Sequence, residues 1–317
     1  MRSLRLRAGF VDGSFVDERV APRPEARMSG RRMSIEQRQV EIPDGRIRVR
    51  ILGRGEPVLC LHGLSAHGRT WLPVAERLAG RCTLWVPDLL SRGQSTARPD
   101  VSYGLDDEVR RVVELIGELG ASPRVVAGHS QGAAIALGLA TRDSRIRGLV
   151  LCSPVTPWTR RPLTLELLRS ALMRRIGAGI FRPLRRPLAR VILARAFGPA
   201  ARPSAATVRA YSAPYGEPER ARALMRLLAD WRPDQIAGWL PDREIVARVM
   251  VGEQDPRITT EAAERVAEHL RAPLQRVPDG GHVLPEQVPD LVASEIAAVL
   301  DSAKSTKSTK PMVDGRD

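Results

Sequence analysis

Gly128-His129-Ser130-Gln131-Gly132 is the stretch that decides the fold. The run Arg124–Ala127 before it has the composition of a buried strand, and Ala133–Ala140 after it, rich in Ala and Leu, reads as a helix. A G-x-S-x-G segment between strand and helix is a sharp turn that lifts a serine hydroxyl above the edge of a sheet. Side chains at 128 and 132 would collide with the neighbouring strand and helix, which accounts for the two glycines. The following helix aims its N-terminal amides at the same point. Ser130 is therefore the candidate nucleophile.

Outward from this turn, short apolar runs alternate with helix-length segments. Val40–Ile42 and Ile47–Leu52 suggest a hairpin around Asp44-Gly45. Pro57–Leu61, Thr83–Val86, Arg147–Leu151, Ile245–Val251 and Leu274–Val277 read as strands. Helices are predicted over Leu72–Leu78, Leu105–Leu119, Thr260–Leu270 and Leu291–Leu300. The second of these repeats Val109, Val112, Val113, Ile116 and Leu119 at helical spacing. The alternation implies βαβ units, hence the α/β class with a doubly wound, mostly parallel sheet. Residues 155–240 contain helices without strands, as an inserted helical cap would, so the core is expected over 36–154 and 241–301. Residues 1–35 lack any sustained period and are expected to be a disordered extension, with Met28 and Met33 as alternative starts. The Lys-Ser-Thr repeat within 302–317 reads as a solvated tail.

A serine hydroxyl is a weak nucleophile and needs a base. Of the five histidines, His282 follows the strand Leu274–Val277 through Gly280-Gly281, a turn flexible enough to bring an imidazole over the sheet. His269 falls in a helix beside acidic residues and reads as surface, His62 and His129 as loop-shaping, and His67 as a pocket-lining candidate. The base needs a carboxylate to fix its tautomer. Asp255, in Val251-Gly252-Glu253-Gln254-Asp255-Pro256, is favoured over Glu253, which sits closer to the strand end. An oxyanion needs two preorganised N–H donors. The Gln131 amide is one candidate. The Leu64 amide is the other, after Gly63 in the loop following Pro57–Leu61.

These pieces together resemble the α/β-hydrolase superfamily over roughly residues 38–301. The matching segments are His62-Gly63, Asp88-Leu89-Leu90-Ser91-Arg92-Gly93-Gln94-Ser95, Gly128-His129-Ser130-Gln131-Gly132, Gly252-Glu253-Gln254-Asp255 and Gly281-His282. In the second, Ser91 stands where the family usually has the first Gly of Asp-x-x-Gly-x-Gly-x-Ser. The order Ser130, Asp255, His282 is the family's order of nucleophile, acid and base. The resemblance implies a hydrolase that needs no cofactor. Dehalogenases and epoxide hydrolases of this fold carry Asp where Ser130 stands, which argues against their chemistry. The expected reaction is hydrolysis of a carboxylic ester, lactone or thioester in a small-molecule acyl substrate, through an acyl-enzyme. A C–C bond hydrolase or an acyltransferase would use the same triad. The reading from another class is a non-catalytic ligand-binding protein of the same fold, against which the intact triad argues.

The chain's net charge of +14 over 317 residues is unevenly placed. Residues 155–235 carry 16 arginines against five acidic residues. Within them Leu165, Leu168, Leu172 and Ile176, then Phe181, Leu184, Leu188 and Val191, fall at helical spacing, with Pro183 and Pro187 expected to break the helix into short pieces. The first reading is a stripe facing the core with a solvated basic back. The sharper one is attraction to an anionic lipid surface or an acidic substrate. Nucleic acid is not the expected partner, because aromatics are not interleaved with the arginines. Trp158, Trp231 and Trp239 are candidates for pocket wall or hinge packing. Cys60, Cys82 and Cys152 form no CxxC pair, so neither a disulfide framework nor a metal site is expected. No run approaches the ~20 apolar residues of a membrane span. The N-terminus lacks a secretory pattern, so the cytoplasm is the expected compartment, with peripheral membrane attachment as the corollary of a lipid-binding cap.

Overall fold

The computed structural model describes residues 35–98 and 100–305. The extension expected before Ile35 and most of the expected tail lie outside those residues. In chain order the strands are β1 (Ile35–Ile42), β2 (Gly45–Gly53), β3 (Pro57–Leu61), β4 (Thr83–Pro87), β5 (Thr96–Ala97), β6 (Val125–His129), β7 (Gly148–Cys152), β8 (Val246–Gly252) and β9 (Leu274–Val277). The helices are α1 (Leu72–Leu78), α2 (Leu105–Glu118), α3 (Gln131–Arg142), α4 (Ala171–Phe197), α5 (Ala205–Ser212), α6 (Pro218–Asp230), α7 (Thr260–His269), α8 (Leu284–Gln287) and α9 (Pro289–Ser305). Since α9 runs to Ser305, the first residues of the expected tail are helical.

The strands form one sheet in the order β1-β2-β4-β3-β6-β7-β8-β9, with the short β5 paired to β2. β1, β2 and β5 pair antiparallel; from β4 through β3 to β9 every pairing is parallel. Parallel strands are covered on both faces, and successive side chains divide between them. Leu59, Leu61, Val126, Leu149, Leu151, Val249 and Val251 pack with α2, α3 and α7. Their neighbours Val58, Cys60, Val125, Ala127, Val150, Cys152 and Met250 pack with α1 and α9. All three cysteines are buried and unpaired.

Helices alone intervene between β7 and β8, along with 3₁₀ turns at Leu163–Arg169, Ala213–Gly216 and Pro233–Trp239. Pro183 and Pro187 do not divide the cap as their sequence suggests; α4 runs through both. Each proline removes one N–H bond, to the carbonyls of Gly179 and Pro183. Both of those residues are exposed, so water can take the freed carbonyls. In α2, Val113 turns to solvent at 46% exposure, while Glu108 and Arg111 occupy the buried side.

Candidate active site

Ser130 sits at the join of β6 and α3 with φ 55° and ψ −116°. A non-glycine residue in that region stores about 1–3 kcal/mol of strain and persists only where its surroundings over-determine it. Here the Ser130 amide donates to the Cys152 carbonyl at 3.0 Å, and the Ser130 carbonyl accepts from the amides of Ala133 at 3.0 Å and Val155 at 3.2 Å. The glycines permit the turn. A Cβ on Gly128 would stand 2.4 Å from the Gly132 carbonyl oxygen, and one on Gly132 would stand 2.2 Å from that of Leu61, at the end of β3. Both contacts are with backbone, which cannot rotate away.

The loops after β8 and β9 bring two further groups to this point. His282 Nε2 lies 3.0 Å from Ser130 Oγ, and His282 Nδ1 lies 2.8 Å from Asp255 Oδ2. Asp255 Oδ1 accepts from the amides of Arg257 at 2.8 Å and Ile258 at 3.1 Å. Burial by itself would raise the Asp255 carboxyl, but the His282 imidazole and these two amides outweigh it and hold the group below the usual carboxylate range. An ionised Asp255 accepts the hydrogen bond from the Nδ1–H of His282. That leaves Nε2 as a lone pair aimed at the serine hydroxyl. Glu253 is exposed and takes no part. His269 ends α7 on the surface.

The other predicted histidines support this arrangement from behind. His129 Nε2 donates to the His282 carbonyl at 2.7 Å, fixing the backbone of the neighbouring imidazole. Burial pushes the His129 ring down to about 3, so it stays neutral. His62 donates from Nδ1 to the Gly63 carbonyl at 2.8 Å and accepts the Leu89 amide at Nε2 at 2.9 Å, tying the loop after β3 to the loop after β4. Burial and the nearby Arg92 push it to about 3 as well. His67 departs from expectation. It is buried before the 3₁₀ turn Gly68–Trp71, its ring centroid 4.7 Å from that of Tyr211, and does not line the cavity. Neither of its ring nitrogens finds a hydrogen-bond partner among the described residues.

Gln131 opens α3, so its amide is one of those a helix leaves without an intrahelical partner. Leu64 lines the cavity beside Gly63 and Ser130. The two candidate donors are linked by Arg92, a side chain the sequence reading passed over. Arg92 is 1% exposed; Nε donates to the Leu64 carbonyl at 3.0 Å, and Nη2 to Gln131 Oε1 at 3.0 Å. Its Nη1 donates to the Leu90 carbonyl and to the buried Glu108 carboxylate, at 2.8 and 3.0 Å. One rigid guanidinium thus braces both sides of the space next to Ser130 Oγ. No spacing rule points to an arginine there. An Arg beside the departure at Ser91 was the available signal. Ser91 itself keeps a left-handed φ of 61°, with its hydroxyl 2.6 Å from Tyr103 Oη. Asp88 locks the same loop. Its Oδ1 accepts from the Gly68 amide at 2.7 Å and from Arg50 Nη1 at 3.0 Å, and its Oδ2 accepts the Gln94 amide at 3.0 Å.

Ser130 and His282 face a cavity of about 1000 Å³. The cap supplies most of its wall, including Phe181, Leu193, Tyr215, Met225 and Leu228. Trp158 and Trp231 line it, whereas Trp239 belongs to the main core, under the Arg142 guanidinium. This volume is at the upper end for small-molecule sites. Among the described residues no group of His, Cys, Asp and Glu side chains is placed to hold a metal ion.

Known proteins bear on this site as follows. Residues 58–295 match the model of the alpha/beta hydrolase family. The chain is 29% identical over 249 residues to the magnesium-chelatase 30 kDa subunit of Rhodobacter capsulatus, a match covering 74% of this chain and 84% of that one. It is 38% identical over 99 residues to lipase LipV of Mycobacterium tuberculosis, covering 31% of this chain and 36% of the lipase. An alpha/beta hydrolase fold protein from Burkholderia ambifaria superposes with a TM-score of 0.71 at 25% identity, over 84% of this chain and all of that one. Sheet order, the positions of the three loops and the family match agree: the chain belongs to the alpha/beta hydrolase family.

Proposed function

We propose that the chain is a serine hydrolase that cleaves an ester, thioester or lactone of a large, mainly apolar substrate through an acyl-enzyme. The observation that carries this reading is the continuous chain Ser130 Oγ, His282, Asp255, at 3.0 and 2.8 Å, on the wall of the cavity. His282 Nε2 takes the hydroxyl proton as Ser130 Oγ bonds to the substrate carbonyl carbon. The resulting oxyanion is received by the amides of Leu64 and Gln131. His282 returns the proton to the departing alcohol or thiol. Water then enters and gives its proton to the same nitrogen as its oxygen bonds to the acyl carbon; the bond from that carbon to Ser130 Oγ breaks, the acid leaves, and His282 returns the proton to Oγ, restoring the serine. Asp255 holds the imidazole tautomer throughout and stabilises its transient positive charge. The apolar wall favours a substrate larger than a simple acetate, and the lipase among the relatives supports an ester.

The test is labelling by a fluorophosphonate, followed by turnover on a panel of esters, thioesters and lactones of rising chain length. Wild type is expected to take one label per chain. Ser130→Ala is expected to take none and to lose turnover by at least 10³-fold while melting as wild type does. A labelled Ser130→Ala protein would reject the nucleophile. Wild type that neither labels nor turns over any member would favour the ligand-binding reading. Labelling without ester products would favour C–C cleavage or acyl transfer.

A further inference from the structure

Of the apolar row on the cap, expected to face the core, Leu172, Ile176, Leu184, Leu188 and Val191 face outward, whereas Leu165, Leu168 and Phe181 are half-buried. Of the twelve large apolar side chains exposed among the described residues, ten lie between Trp158 and Ile192. Leu163 is 86% exposed, Leu172 61% and Ile180 59%. The buried positions of α4 are instead Ala178, Leu193, Ala196 and Phe197. At ~100° per residue, Ile176, Ile180, Leu184 and Val191 share the side of α4 opposite those positions, and Arg190 and Arg195 flank them, with Arg186 exposed beyond Arg190. An exposed apolar band of this extent marks a surface that meets something other than water.

Charge says what that is. α4 carries seven arginines and no acidic residue. Their hydrogen bonds go to carbonyls: Arg174 to Leu168 and Arg169, Arg182 to Gly216, Arg185 to Arg182. No carboxylate pairs with any of the seven among the described residues. A band of aliphatic side chains edged by unpaired arginines is the pattern of a helix lying in the interface of an anionic bilayer. There the apolar side enters the acyl boundary and the guanidinium groups reach the phosphates. Trp158 and the 3₁₀ turn Leu163–Arg169, with Leu163 and Leu167 exposed, add further exposed apolar side chains to the cap. No helix of the described residues is long and apolar enough to cross a membrane, so attachment would be by this face.

The band also meets the cavity. Trp158, Leu188 and Ile192 are exposed on the surface and line the cavity as well. We infer that α4 docks the protein on an anionic lipid bilayer and that the cavity mouth opens at that contact, so that membrane-dissolved esters enter from the lipid. The entry step rests on the serine-hydrolase reading above. The docking does not.

Two sets of substitutions test it, all outside the cavity wall: Arg186→Gln with Arg190→Gln and Arg195→Gln, and Ile176→Gln with Ile180→Gln and Leu184→Gln. Full-length protein is sedimented with phosphatidylcholine vesicles, with and without phosphatidylglycerol, at low and high salt. Wild type is expected to bind the anionic vesicles at least tenfold more tightly than the neutral ones, and less tightly as salt rises. Each triple variant should lose at least tenfold of that binding, since one arginine near a charged surface is worth about fivefold. Hydrolysis of a water-soluble short ester should stay within twofold of wild type in both variants, while hydrolysis of a vesicle-dissolved long-chain ester should fall with binding. Equal or absent binding to the two vesicle types would overturn the docking, as would wild-type binding by both variants. A stable dimer abolished by the isoleucine–leucine set, without vesicle binding, would overturn it in favour of a second copy of the chain. Binding as expected with no change in the vesicle-dissolved ester's hydrolysis would overturn the entry step alone.

Discussion

Asp255→Asn separates the role of the carboxylate from that of its shape. The amides of Arg257 and Ile258 point at Oδ1, at 2.8 and 3.1 Å, and they require an acceptor there. The asparagine must therefore place its oxygen at that position and its NH₂ where Oδ2 stood, 2.8 Å from His282 Nδ1. An N–H facing Nδ1 needs a lone pair, so the imidazole proton moves to Nε2. Nε2 then donates toward Ser130 Oγ at 3.0 Å, and the serine proton has no acceptor. Enforcing the wrong tautomer in a triad costs about 10⁴-fold in kcat, equivalent to about 5.5 kcal/mol of barrier. The fold keeps both backbone bonds and loses one charge-assisted contact, at most about 3 kcal/mol. The assay is kcat and KM on the best ester of the panel, with thermal melting on the same samples. The expected result is a loss of 10³–10⁴-fold in kcat, little change in KM, and a cooperative melt lowered by a few degrees. A kcat within tenfold of wild type in a folded Asp255→Asn protein would refute the orienting role.

Two further perturbations reach the supporting shell. Arg92→Lys keeps a charge near Glu108 but loses the fork that holds Leu64 and Gln131 together; kcat should fall about 10–100-fold with KM nearly unchanged, and an unaltered kcat on the same ester would leave Arg92 a purely structural residue. His67→Phe keeps the ring packing on Tyr211 and removes two unpartnered nitrogens, so it should melt at or above the wild-type temperature. Its pH dependence has a definite sign: burial holds His67 down to about 4 against its ordinary 6.5, so the unfolded chain takes up the proton first as the medium acidifies. The wild type therefore loses stability as pH falls from about 6.5 toward 4, by about 2 kcal/mol at most between pH 7 and 5, and the advantage of the Phe variant should widen over that interval; melting curves at several pH values check it, and a constant difference would contradict the buried neutral state.

The sequence by itself determined the parts of this protein that local chemistry forces. The glycines at 128 and 132 are dictated by backbone contacts of 2.4 and 2.2 Å, so the turn is legible wherever strand and helix flank it. Strands and helices of the core were readable to within a few residues, because a parallel sheet covered on both faces demands continuous apolar runs. Ser130, His282 and Asp255 each follow a strand, and loops at the C-terminal ends of parallel strands converge on one edge whatever their separation in the chain. What only the tertiary structure decided are the features set by long-range neighbours. Arg92 braces residues 28 and 39 positions away, and no spacing in the chain encodes a hydrogen bond of that reach. Pro183 and Pro187 stay inside a helix because the carbonyls they strand face water, a matter of placement that composition does not carry. The apolar stripe of α4 obeys helical periodicity equally well with its band toward the core or toward solvent. Periodicity fixes that a helix has two sides; only the packing of Ala178, Leu193, Ala196 and Phe197 against the rest of the chain fixes which one is left outside.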